Sequence, residues 1–88
     1  MEIFENEIRK LLEKHDLKDI LIEIPPDSKL GDYAVPCFAL SKKLKKAPNI
    51  IAKEVSENLS SHLFENITAV GPYINFFVNQ KKLAEKTL

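Results

Sequence analysis

The sequence is poor in the features that mark most secreted, membrane and catalytic chains. It has one cysteine, Cys37, so no internal disulfide can form, which fits a reducing, cytoplasmic setting. No apolar run approaches the roughly 20 residues needed to cross a bilayer, so no membrane role is expected. The first ten residues, MEIFENEIRK, are acidic and amphipathic, unlike a secretory signal. There is no Gly-x-Gly-x-x-Gly, no phosphate-loop lysine motif, and no Ser or Cys in a nucleophile context. His15 and His62 stand apart in polar surroundings and read as surface residues. Cys37 has no second Cys or His at ligand spacing, so no metal site is expected, and it reads as a small half-buried hydrophobe. The chain by itself is therefore expected to carry out no reaction.

The 88 residues make one small domain, with 44% hydrophobic and 30% charged residues. Net charge is zero but unevenly placed. Residues 1–27 hold 8 acids and 4 bases; residues 28–53 hold 6 lysines and a single aspartate. A basic segment set among acidic ones can steer a polyanion to one face of a neutral protein.

Phe4, Ile8, Leu11 and Leu12 recur at helical spacing and predict an amphipathic helix over about residues 2–14. DILIEI (19–24) reads as a short buried strand, and PPDSKLGD (25–32) as a loop. A second helix is expected from about Tyr33 to Lys46, with Asp32 as its N-cap and Gly31 supplying a positive φ for a sharp entry. Pro36 then falls near the first turn, and Val35, Phe38, Ala39 and Leu44 form the buried stripe. Pro48 opens a third helix carrying Ile51, Ala52, Val55 and Leu59. Two strands, about 65–70 and 73–78, meet at the Gly71-Pro72 kink. Residues 80–88 read as a last helix with no stop signal, which points to a longer polypeptide. The expected fold class is α+β: a small antiparallel sheet of about three to four strands with helices on one side, in the order α-β-α-α-β-β-α.

Two features bear on binding. Lys42, Lys43, Lys45 and Lys46 crowd the end of the second helix, where they either complement its dipole or contact phosphates. In VGPYINFFVN, strand alternation sends Ile74, Phe76 and Val78 to an apolar face and Tyr73, Asn75 and Phe77 to the other. An exposed Tyr73 ring could stack on a base and the Asn75 amide bond its edge. Equally, both rings could pack under a helix while Asn75 serves the backbone.

GDYAVPCFALSKKLKKAPNIIAKEVSENL followed by VGPYINFFVNQKKLAEKTL resembles the N-terminal additional domain of arginyl-tRNA synthetases. Gly31-Asp32-Tyr33-Ala34 and Gly71-Pro72-Tyr73-Ile74-Asn75-Phe76-Phe77 carry the likeness, and their order and separation make it specific. The resemblance implies that residues 1–88 form one tRNA-recognition module, cut from a multidomain enzyme. It implies tRNA(Arg) as partner, met at the D-loop on the outer corner of the L. The catalytic Rossmann domain and the helical anticodon-binding domain of the parent chain are further implied partners. Tyr73 matches the family's stacking aromatic and Asn75 a polar side chain that can bond the D-loop base. Lys42, Lys43, Lys45 and Lys46 would then touch the tRNA backbone. The position before Gly71 is an asparagine in some members; Val70 here cannot make that hydrogen bond. Val35-Pro36 also departs from the polar residues of many members. The parent would use ATP and magnesium in its catalytic domain, whose signature motifs are absent from these residues. The alternative is a structural or protein-interaction domain with no RNA contact.

Overall fold

The computed structural model describes residues 2–17 and 20–79. The expected C-terminal helix at 80–88 lies outside them. The first helix, α1 (Glu2–Glu13), forms as its spacing predicts, burying Phe4, Ile8, Leu11 and Leu12. It ends without glycine. Asp16 takes the left-handed conformation at φ 61°, while the Leu17 N–H donates to Leu12 O and the Asp16 N–H to Glu13 O. That pair of bonds is a Schellman closure, and the buried Leu17 supplies the apolar contact that accompanies it.

The next stretch departs from expectation. Residues 20–24 do not form a strand. Only Glu23 pairs, exchanging both backbone bonds with Ala34 at 2.8 Å. Pro25 and Pro26 have no N–H to carry that ladder further. A turn of 3-10 helix, Ser28–Leu30, follows. The strand that the order requires lies later, as β1 (Tyr33–Pro36), where the sequence predicts the start of a helix. The reason is local: a residue before proline avoids the α region, so Val35 ahead of Pro36 is held extended. Asp32 therefore caps no helix. Its Oδ2 accepts the Val78 N–H at 2.9 Å and its own N–H donates to Phe76 O.

Helix α2 is the shorter Phe38–Leu44, closed by Lys45 at φ 55° and by the Ser41 hydroxyl donating to Lys46 O. Its later start rotates the buried face. Leu40 is buried, whereas Phe38, Ala39 and Leu44 are exposed. Helix α3 (Pro48–Glu57) starts on Pro48 and buries Ile51 and Ala52, as expected. Strands β2 (Phe64–Val70) and β3 (Tyr73–Val78) form an antiparallel hairpin through Gly71-Pro72. Gly71 stands at φ +58° at the first central position of this two-residue turn, where a type II′ turn asks for glycine.

Among the described residues the sheet has three strands in the order β1-β3-β2, all antiparallel. Ile74, Phe76 and Val78 of the central strand face the core. Phe4 of α1 packs its ring against Tyr33 (6.4 Å) and Phe64 (6.0 Å), and Phe64 lies 5.2 Å from Phe76. Helix α3 lies along β2 on this same side. The architecture is the expected α+β layer, with the first strand displaced to residues 33–36.

Candidate nucleic-acid interface

With the helices on one side, the other face of the sheet presents Tyr73, Asn75 and Phe77. Register places Ala34 and Thr68 on either side of Asn75, and Pro36 and Val70 on either side of Tyr73. The segment from Glu23 to Leu30 folds over part of this face and turns it into a hollow of about 230 Å³. Tyr73, Asn75 and Val70 line its sheet side; Pro25, Pro26 and Leu30 form the opposite wall. The two prolines hold that wall by their fixed φ. Tyr73 and Asn75 thus share one concavity, as the strand alternation predicts.

They differ in access. Tyr73 is half-buried, whereas Asn75 is only 3% exposed and lies at the floor of the hollow. Its burial follows from Gly31. A Cβ at that position would stand 3.4 Å from Asn75 Cβ and 3.1 Å from Phe76 O, so the chain passes directly over the central strand. Only glycine allows both that approach and the observed φ of +109°. Gly31 does supply the positive φ expected of it, but for entry into β1. Val70 is 47% exposed at the rim, an apolar residue across the hairpin from Tyr73.

A second hollow, of about 290 Å³, adjoins the first, and Tyr73 lines both. Phe38, the first residue of α2, walls this one together with Leu21 and Pro36. The Phe38 ring meets Tyr73 edge-on, with centroids 5.9 Å apart and planes at 88°. Sequence reasoning assigns Phe38 to the buried stripe, and the structure overturns this. The ring is 54% exposed, because Pro36 delays the helix and changes which residues face the core. The Val35-Pro36 pair was the available signal.

The lysines do not act as a block. Lys42 and Lys43 are exposed on the last turn of α2, and Lys45 is exposed in the left-handed closing position. Lys46 bonds Glu54 of α3 at 2.9 Å, an exposed pair of small energetic weight. A larger, more open hollow of about 490 Å³ runs between α3 and β2. It joins Lys53 to Glu57 and has no aromatic wall, so it offers neither net charge nor a stacking surface.

Cys37 and Tyr33 line none of these hollows, and burial favours the neutral form of both. Cys37 is fully buried, and burial pushes its thiol up to about 11. Its Sγ lies 3.9 Å from Val35 O. The Tyr33 hydroxyl is raised by burial first, then by Glu5 and Asp32. Among the described residues no three His, Cys, Asp or Glu side chains gather into a metal-holding group. No described helix is long and apolar enough to span a membrane.

Comparison with known proteins bears on what this surface belongs to. The family model described as "Arginyl tRNA synthetase N terminal domain" matches residues 1–78. The chain is 59% identical over 68 residues to an arginine–tRNA ligase of Clostridium kluyveri, an alignment covering 77% of this chain and 12% of that protein. It is 46% identical over 90 aligned positions to the ligase of Clostridium beijerinckii, covering 97% of this chain and 16% of that one. Among solved structures, the Thermus thermophilus arginyl-tRNA synthetase superposes with a TM-score of 0.77 at 32% identity, over 97% of this chain and 15% of that one. The chain thus spans less than a fifth of the length of these relatives. This chain belongs to the arginyl-tRNA synthetase N-terminal domain family.

Proposed function

We propose that residues 1–88 act as the tRNA-recognising N-terminal module of an arginine–tRNA ligase, meeting the D-loop of tRNA(Arg). The observation that carries this reading is the shared hollow of Tyr73 and Asn75 on the face of the sheet opposite Ile74, Phe76 and Val78. An unstacked D-loop base lies against the Tyr73 ring, and its edge enters the hollow to reach the Asn75 amide. Asn75 is too enclosed to meet a base that stays on the surface. Exposed lysines of α2, Lys42, Lys43 and Lys45, contact the tRNA backbone and add salt-dependent affinity without sequence choice. Lys46, shared with Glu54, contributes least.

The remainder of the parent enzyme, working in the cytoplasm, supplies the chemistry. It joins arginine to tRNA with ATP and magnesium in a catalytic domain, and an anticodon-binding domain holds the other end of the tRNA. This module positions the substrate and touches none of the reacting atoms.

The test is Tyr73→Ala in the full-length ligase. Base–aromatic stacking is worth about 1–3 kcal/mol, so the KM for tRNA should rise roughly 5- to 150-fold. The KM values for ATP and arginine should not move. An unchanged tRNA KM overturns the assignment.

A further inference from the structure

Tyr73 forms the ridge between two hollows, and the base reading above occupies only one of them. The second is walled by Phe38, a large aromatic ring left 54% exposed at the start of a helix. A ring that exposed contributes little to the core, and among the described residues its aromatic neighbour is Tyr73 itself. The edge-on geometry leaves a face of Phe38 turned away from the sheet strand that reads the first base. Lys42 follows Phe38 by four residues, one helical turn on, and therefore lies on the same side of α2. Apolar surface, an open aromatic face and a cation one turn away form the combination that holds a nucleotide: a ring to stack on and a charge for its phosphate.

Resting on the D-loop reading, we infer that the surface holds two consecutive nucleotides. The first stacks on Tyr73 above Asn75. Its neighbour stacks on Phe38 in the adjoining hollow, with its phosphate directed to Lys42. The separation of 5.9 Å between the two rings makes the sites contiguous, so one splayed strand can cross the Tyr73 ridge from one to the other. The second site has no side-chain amide among its lining residues, and its one carboxylate, Glu23, is shared with the first hollow, so it adds affinity chiefly through stacking.

The experiment uses the full-length ligase with Phe38→Leu, which keeps apolar bulk but removes the π face, beside Phe38→Trp and Tyr73→Ala. Thermal unfolding checks that each variant is folded. Phe38→Leu should raise the tRNA KM roughly fivefold or more, leave the ATP and arginine KM values unchanged, and be rescued by Phe38→Trp. A set of tRNAs with single abasic D-loop nucleotides then separates direct from indirect action. The Phe38→Leu penalty should vanish on the tRNA that lacks the base next to the one Tyr73 reads. If the penalty persists on every abasic tRNA, Phe38 only braces Tyr73 and the second site is overturned. If Tyr73→Ala raises the tRNA KM and Phe38→Leu does not, the second site is overturned while the D-loop reading stands. If neither substitution moves it, both fall.

Discussion

Gly31→Ala tests the packing that creates the hollow. At φ +109° an L-residue is outside even the left-handed helical region, and such strain costs on the order of 1–3 kcal/mol. The added methyl would also stand 3.1 Å from Phe76 O. That oxygen cannot withdraw freely, because it accepts the Asp32 N–H at 2.9 Å and belongs to the central strand. Weakening that bond costs about 1 kcal/mol more. The sum is about 2–4 kcal/mol, a large part of what so small a domain has. Gly71→Ala is the control. It too has positive φ, +58°, but a Cβ there meets nothing within 4 Å, so only the backbone strain remains. Urea unfolding of the 88-residue chain, followed by circular dichroism, reads the difference. With an m-value of about 1 kcal/mol/M for a small domain, a 3 kcal/mol loss lowers the midpoint by roughly 3 M. Gly31→Ala should lose more than Gly71→Ala by about 1 kcal/mol or more. Equal losses would refute the claim that close passage over β3, beyond glycine's freedom of φ, is what position 31 requires. Because Asn75 Cβ is the next neighbour at 3.4 Å, Gly31→Ala in the full enzyme should also weaken tRNA binding where the fold survives.

Three further outcomes follow. The Cys37 thiol, raised from 9.0 to about 11 by burial, carries about 100-fold less thiolate at pH 8 than an unfolded one, so labelling by a thiol reagent should slow by at least that factor until urea is added. The same raised pKa puts its stabilising effect fully in place below pH 9 and removes it as pH rises through 11; a Cys37→Ala chain should lose this part of its alkaline sensitivity, as measured by unfolding between pH 8 and 11. Replacing Lys42 or Lys43 by alanine should lower the slope of log affinity for tRNA against log salt by about one each in the full-length ligase, whereas Lys46→Ala, already paired with Glu54, should lower it less; equal slopes for all three would count against phosphate contact by α2.

Local rules decided a good part of this protein from the sequence alone. The stripe of Phe4, Ile8, Leu11 and Leu12 specified α1, since residues at that spacing share a face whatever surrounds them. Pro48 set the start of α3, and Gly71-Pro72 set a two-residue hairpin whose alternation sends Ile74, Phe76 and Val78 inward. The Gly-Asp-Tyr-Ala and Gly-Pro-Tyr motifs carried the family resemblance, and in each the glycine holds a positive φ. What the sequence did not determine depends on partners far along the chain. Asp32 reads as a helix cap, but the free N–H it meets belongs to Val78, forty-six residues later. The apolar run at 20–24 reads as a strand, but only Glu23 finds an edge to pair with, on β1. Phe38 leaves its expected buried place, and the open question of Asn75 is decided, for the same kind of reason. The amide goes under because the chain from Glu23 through Gly31 folds across the sheet, and the ring comes out because β1 uses the residues that would have begun its helix. Strand pairing and loop cover are long-range choices, and only the tertiary structure makes them.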